Sequence, residues 1–234
     1  MWTRADLKMR GKVAFQRNYW SAVIVGLVMS VVSTIVSVSN SRNLRGYNSR
    51  HGYYISEYSL LWAILGAFSA VLGLGIILLN IFVGNVLMVG GSRFFILNQT
   101  ETANPAVLGC GFRSGHYGNI VLVMFLRDLF TFLWTLLLVV PGIIKYYEYL
   151  MVPYIIAENP AMSREEAFLI SKKMMMGQKW EAFVLDLSFL GWRILEIATF
   201  GILGVFYVEP YIEATFSELY TFNRAMAYQN GYIR

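Results

Sequence analysis

Polar chemistry is scarce in this chain. Among 234 residues there is one cysteine, Cys110, which excludes an internal disulfide framework and a cysteine-rich metal site. Two histidines, His51 and His116, stand far apart in polar contexts, and neither has the neighbours a metal site needs. Charged residues make up only 14%, well below the roughly 25% of soluble domains. Enzyme signatures are missing too. There is no H-E-x-x-H, no G-x-S-x-G and no phosphate-binding glycine loop, so neither catalysis nor a cofactor is expected. No basic block with interleaved aromatics suggests a nucleic-acid partner, although the net charge is +5.

Apolar sequence fills the space instead. Hydrophobic residues reach 57%. From Asn18 to Ser41 there are 24 consecutive uncharged residues, too many for a signal-peptide core of roughly 7–15. That run reads as an uncleaved first span, about 19–39, with Gly26, Ser30, Ser33 and Ser37 as a small-residue packing face. Residues 58–92 carry no charge over 35 positions, more than one bilayer core of about 30 Å requires. They read as a span at 58–82 with a helical extension. Gly66, Ala70 and Gly73 form its packing face, and Gly84, Gly90 and Gly91 permit bends.

Two later stretches resemble copies of one hairpin. Asp128-Leu129, Trp134, Gly142-Ile143 and Pro153-Tyr154-Ile155 are echoed by Asp186-Leu187, Trp192, Gly201-Ile202 and Pro210-Tyr211-Ile212. Asp to Trp is six residues in both. A repeat of this kind sets the building unit. The expectation is two related hairpins, 119–158 and 181–228. Pro141-Gly142 and Gly201 mark their turns, and Pro210 is a further structural turn residue. The second hairpin's first arm is the least apolar, since Asp186, Arg193 and Glu196 interrupt it.

The connecting segments complete an all-α, polytopic bundle of about six spans in a single 1–234 membrane domain. Residues 1–17 suit an interfacial helix, with Trp2, Met9, Val13, Gln16 and Trp20 on one face and Arg4, Lys8 and Lys12 on a flank. A solvated basic tail is the plainer alternative. Residues 40–57 and 98–118 read as loops, and Asn98-Gln99-Thr100 fits a glycosylation sequon by pattern alone. Ser163-Arg164-Glu165-Glu166 opens an amphipathic helix over 163–176. With the N-terminus inside, thirteen basic residues lie on the inner segments. Arg42, Arg45 and Arg50 alone lie outside. This positive-inside bias predicts a plasma-membrane protein with both termini cytoplasmic.

The stretch from about Trp134 to Tyr220 carries Trp134 with Leu136-Leu137-Leu138, Pro141-Gly142-Ile143-Ile144-Lys145, Pro153-Tyr154-Ile155 and Glu158-Asn159-Pro160. It continues through Gly177-Gln178-Lys179-Trp180, Leu187-Ser188-Phe189, Gly191-Trp192 and Pro210-Tyr211. Together these motifs resemble the domain of unknown function 975 family. Asn18-Tyr19-Trp20 and Phe112 also look familial. The resemblance implies a multi-span bacterial membrane protein. It implies no reaction. A distant similarity to the membrane domain attached to some glycerophosphodiester phosphodiesterases hints at lipid-related work.

Charges within apolar spans are costly and are the functional candidates: Arg127, Asp128, Lys145, Glu148, Asp186, Arg193 and Glu196. Lys145 and Glu148 have i,i+3 spacing, as do Arg193 and Glu196. Arg127 and Asp128 are adjacent and are expected to point apart to separate partners. One reading is a polar interior surface binding a headgroup, ion or peptide. The preferred alternative is a set of inter-helix pairs fixing the register of the hairpins, since the signs nearly balance. The expected function is a non-enzymatic scaffold or accessory factor. Its partners would be membrane lipids, a membrane protein or a second copy of the chain. The competing reading is a transporter or channel subunit.

Overall fold

The computed structural model describes residues 2–41 and 59–233, and these contain helices, turns and no strand. The loop carrying Arg42, Arg45, Arg50 and His51 therefore lies outside the described residues. In chain order the helices are α1 (Arg4–Arg17), α2 (Tyr19–Ser41), α3 (Ser59–Leu79), α4 (Asn85–Leu97), α5 (Cys110–Arg113) and α6 (Tyr117–Leu137). They continue with α7 (Val139–Glu148), α8 (Val152–Glu158), α9 (Arg164–Met174), α10 (Lys179–Leu187), α11 (Leu190–Ala198) and α12 (Glu209–Gln229). Helices α4 and α8 run through the middle. Helix α4 packs against α2, α6, α8 and α12, and α9 covers α8.

Uncharged length explains the longest helix. Helix α3 passes into α4 through a π-helical turn at Asn80–Gly84, where Asn80 and Gly84 are buried. A π turn widens the helix and changes its direction without ending it. The bend expected near the glycines is realised there. Gly90 and Gly91 do something else. A Cβ on Gly90 would lie 2.1 Å from the Leu108 carbonyl oxygen, and one on Gly91 would lie 2.2 Å from Met29 Sδ. Both glycines let a neighbouring segment approach α4. Gly26 does the same for α2, against the Pro210 ring at 2.7 Å. The expected packing face on α3 has no such use. A Cβ at Gly66 or Gly73 would meet no described atom within 4 Å, and α3 exposes Ile64, Phe68, Val71 and Leu74.

Helix α6 packs against α7, and α11 packs against the segment that leads into α12, but the turns between them differ from those expected. In the first, Leu138 alone turns the chain, with φ −157° and ψ 136°. Pro141 and Gly142 lie inside the first turn of α7. There the missing proline N–H costs nothing, because first-turn donors have no intrahelical partner. Gly142 is needed for contact: its Cβ would sit 2.6 Å from Thr135 Cα on α6. In the second hairpin Phe200 and Gly201 both take positive φ, 52° and 84°. Gly201 is thus a turn glycine in the strict conformational sense. Pro210 is not a turn. It stands in the first turn of α12, directly after a second π turn at Gly204–Val208. The wider π turn accommodates a proline ring that would crowd the preceding carbonyls of an α-helix.

The arms are unequal. Helix α6 is one piece, whereas its return arm breaks into α7 and α8. The second hairpin's first arm breaks at Ser188-Phe189 into α10 and α11. Among the described residues two helices, Ile64–Leu97 and Tyr117–Leu137, are long and apolar enough to cross a membrane by length and composition. Exposed apolar side chains concentrate on α3, on Leu136–Val140 and Ile143-Ile144, and on Ile194, Leu195, Ile197 and Ile202. Phe200, at the second tip, is 97% exposed.

The opposite end is polar and closely tied. Helix α1 lies across α12, burying Leu7, Gly11, Ala14 and Phe15. A Cβ on Gly11 would be 2.8 Å from the Thr215 backbone. Met9, Val13 and Trp20 stay exposed on the other face of the α1–α2 region. Lys8 leaves the basic flank. Its Nζ donates to the Ser188 carbonyl (3.0 Å) and sits 4.0 Å over the Phe189 ring. The loop expected at 98–118 contains a 3₁₀ turn (Pro105–Gly109) and α5. Asn98 is fully buried, donating to the Ala14 carbonyl and accepting from Asn18 Nδ2. It is a structural clamp and offers no surface for glycosylation. Helix α9 is capped by Ser163 Oγ, which accepts from the Glu166 N–H.

The tight contact at Gly142 makes a test. Gly142→Val should destabilise the protein in detergent by about 1–3 kcal/mol through overpacking, read as a lower melting temperature. Gly66→Val, with open space around it, should leave the melting temperature unchanged.

Candidate functional site

A cavity of about 730 Å³ lies where the two hairpins meet α2, α3 and α4. Four of the charged residues singled out from the sequence line it: Arg127, Asp128, Asp186 and Arg193. Lys145, Glu148 and Glu196 do not. Two carboxylates that the sequence reading passed over, Glu209 and Glu213, also line it. They stand four residues apart on α12, hence on one helix face. Their apolar context, Pro210-Tyr211-Ile212 and Ala214, hid them, because α12 read as a span entering a polar tail. Their i,i+4 spacing beside Ile212 and Phe216 was the available signal.

Each wall has a local cause. On α6, Thr131 Oγ donates to the Arg127 carbonyl and Thr135 Oγ to the Thr131 carbonyl, both at 2.8 Å. Such back-bonding satisfies hydroxyls on an apolar helix and bends it slightly. The first π turn borders the cavity through Asn80 and Ile81, and the second precedes Glu209 in the chain. Tyr146, Tyr149 and Tyr154 from the broken return arm add aromatic faces. Ile76, Ile77, Ile81, Phe125 and Phe132 make the apolar side.

The charges are partnered unevenly. Arg127 turns back on its neighbour, donating through Nε and an Nη to Asp128 Oδ1 at 2.9 and 2.6 Å. The expectation that adjacent residues point apart fails, because the long arginine side chain spans the 100° between them. Arg193 does not pair with Glu196. Its guanidinium stands between Asp186 (3.9 Å) and Glu209 (3.8 Å), beyond hydrogen-bonding distance of either. Helix geometry alone favoured Glu196, but that carboxylate packs against Gly204, whose Cβ would meet it at 2.3 Å. Asp186 also accepts from the Tyr147 hydroxyl at 3.0 Å. Glu213 has Tyr154 beside it and no salt bridge among the described residues.

Lys145 and Glu148 form a separate cluster. The Glu148 carboxylate is buried, 4% exposed, and accepts from Lys145 Nζ at 2.8 Å and Lys179 Nζ at 2.6 Å. The Lys145 link is the i,i+3 pair read from the sequence. The Lys179 link joins α7 to α10 and was invisible there. Ser171 Oγ donates to the Glu148 carbonyl at 2.7 Å, adding α9. A third cluster ties α8 to α12: Glu158 accepts from Tyr220 (2.7 Å) and Arg224.

Residues 135–225 match the model of a family described as a protein of unknown function, DUF975. The matched segment runs from the end of α6 into α12. It contains Asp186, Arg193, Glu209 and Glu213 but stops short of Arg127 and Asp128. No curated protein and no solved structure matches the chain.

Glu148→Ala should be among the most destabilising single changes, costing about 3–5 kcal/mol, because it strands two lysine charges at a buried position. Thermal unfolding in detergent measures it. Glu165→Ala, at an exposed surface pair (Glu165 side chain 71% exposed), serves as the near-neutral control.

Proposed function

We propose that this chain, a DUF975 protein over residues 135–225, is a multi-pass protein of the bacterial plasma membrane. In this reading it is a non-enzymatic accessory factor that holds a lipid-type ligand between its two hairpins. One observation carries the reading: a cavity of about 730 Å³ joins charged side chains from α6, α10, α11 and α12 to an apolar wall from α3. Charge is expensive in hydrocarbon, so charge gathered around open space argues for a site.

The membrane part rests on the exposed apolar surfaces of α3 and the hairpin tips, and on the two helices of sufficient length. The six-span arrangement with both termini inside rests on the distribution of basic residues. Cysteine labelling near residues 45 and 168 tests it. Reaction from opposite sides is expected; reaction from the same side overturns the topology.

A transporter is the second reading. Its support is the pair of broken arms, α7/α8 and α10/α11, together with a π turn at Asn80–Gly84 bordering a charged cavity. Discontinuous helices around a mid-membrane site are a transporter device. Counter-ion or solute flux in proteoliposomes separates the two: binding without flux favours the accessory factor.

Arg193→Ala should lower the melting temperature, by about 1 kcal/mol in stability given its half-exposed position. It removes the cation shared by Asp186 and Glu209. A variant of unchanged stability that no longer retains co-purified lipid, read by native mass spectrometry, would assign Arg193 to the ligand instead.

A further inference from the structure

The cavity walls are short of positive charge. Two arginines face four carboxylates there: Asp128, Asp186, Glu209 and Glu213. Arg127 is committed to Asp128 by two hydrogen bonds. Arg193 is divided between Asp186 and Glu209 and is hydrogen-bonded to neither. Glu213 takes a hydrogen bond from Tyr154 and feels the Arg193 charge, with no cation within ion-pair distance among the described residues. Tyr146, Tyr149 and Tyr154 line the same cavity; Lys145 Nζ already sits 5.7 Å from the Tyr149 ring and Tyr154 stacks on Tyr220, and a tyrosine face attracts a cation through its quadrupole. No three His, Cys, Asp or Glu side chains among the described residues are placed to hold a metal ion together. Carboxylates beside aromatic faces, without a metal-ligand cluster, suit an organic ammonium group.

The rest of the cavity defines what the ammonium is attached to. The lining also includes Ile76, Ile77 and Ile81 with Phe125 and Phe132. Ile76 and Ile77 belong to the exposed apolar run of α3. An occupant with its head at Glu209 and Glu213 can therefore lay an apolar tail along α3. We propose that the cavity takes an amphiphile with a cationic ammonium headgroup, with Glu213 and Glu209 as its counter-charges and the tyrosines as its aromatic wall. This assignment rests on the reading of the cavity as a lipid-type site.

The test uses the full chain in an uncharged maltoside detergent and three probes: dodecyltrimethylammonium, dodecyl phosphate and tetramethylammonium. Melting is followed by tryptophan fluorescence. Dodecyltrimethylammonium is expected to raise the melting temperature saturably by several degrees, and the other two are not. Glu213→Gln should fold and lose that shift. Equal shifts from both dodecyl probes overturn the headgroup assignment while leaving a lipid site standing. An equal shift from tetramethylammonium overturns the amphiphile and leaves a soluble amine. No saturable shift with any probe overturns the proposal and the lipid-site reading together. Should Glu213→Gln fail to fold, modification of Glu213 in the native chain by a hydrophobic carbodiimide, read by mass spectrometry, decides. Protection by dodecyltrimethylammonium supports the proposal, and unchanged modification overturns it.

Discussion

Glu148 ties α7, α9 and α10 together. Its carboxylate accepts from Lys145 on its own helix and from Lys179 at the start of α10, and its carbonyl accepts from Ser171 on α9. Three helices thus meet at one buried residue. Two largely buried lysines are enough because the carboxylate offers both oxygens, one to each. Loss of that residue would leave α10 tied to α7 through Tyr147, which donates to Asp186 and packs on Phe183, without the ion pairs that anchor its first turn. The glycine contacts act in the same direction: Gly142 seats α7 on α6, and Gly11 seats α1 on α12. Charge fixes the register while missing side chains fix the distance.

Much of the helical frame was legible in the sequence because it follows from local rules. Uncharged length marks α3, and apolar length interrupted only by Arg127-Asp128 marks α6. The Ser163 cap marks α9, and Gly201 marks a turn that needs positive φ. The first turn was misplaced by three residues for a physical reason. Pro141-Gly142 is a turn signal only if nothing else explains it. Here a one-residue break at Leu138 leaves proline free to occupy a first helical turn and glycine free to make a contact. The α3 glycines failed in the opposite sense. Small residues in line permit close packing but do not supply a partner, and the described chain provides none for Gly66 or Gly73.

The candidate site was half legible. Charge inside an apolar run is visible in one dimension, so Arg127, Asp128, Asp186 and Arg193 could be found. Their partners could not, because partners are set by packing between hairpins. Sequence spacing favoured Glu196 for Arg193. The break between α10 and α11 and the π turn before α12 bring Asp186 and Glu209 to it instead. Glu209 and Glu213 were hidden by the same cause. They interrupt a helix that looked like a polar exit from the bilayer, and only the second π turn aims that face at the cavity.

The choice between structural pairs and a binding surface was posed for all the buried charges at once, and the geometry divides them. Around Glu148 the contacts are 2.6–2.8 Å, the carboxylate is enclosed, and both of its oxygens are used. A ligand would find no vacant acceptor there, and the cluster acts as a strut. Around Arg193 the distances lengthen to 3.8–3.9 Å, the guanidinium is half exposed, and carboxylates outnumber arginines. Loose pairing is costly in a low-dielectric setting unless something else completes it. A chain able to build the Glu148 cluster had the means to close the second one and did not. The unsatisfied side is the side that borders open space. Rigidity in one cluster and incompleteness in the other fit a single division of labour, in which the first holds the walls and the second meets what enters between them.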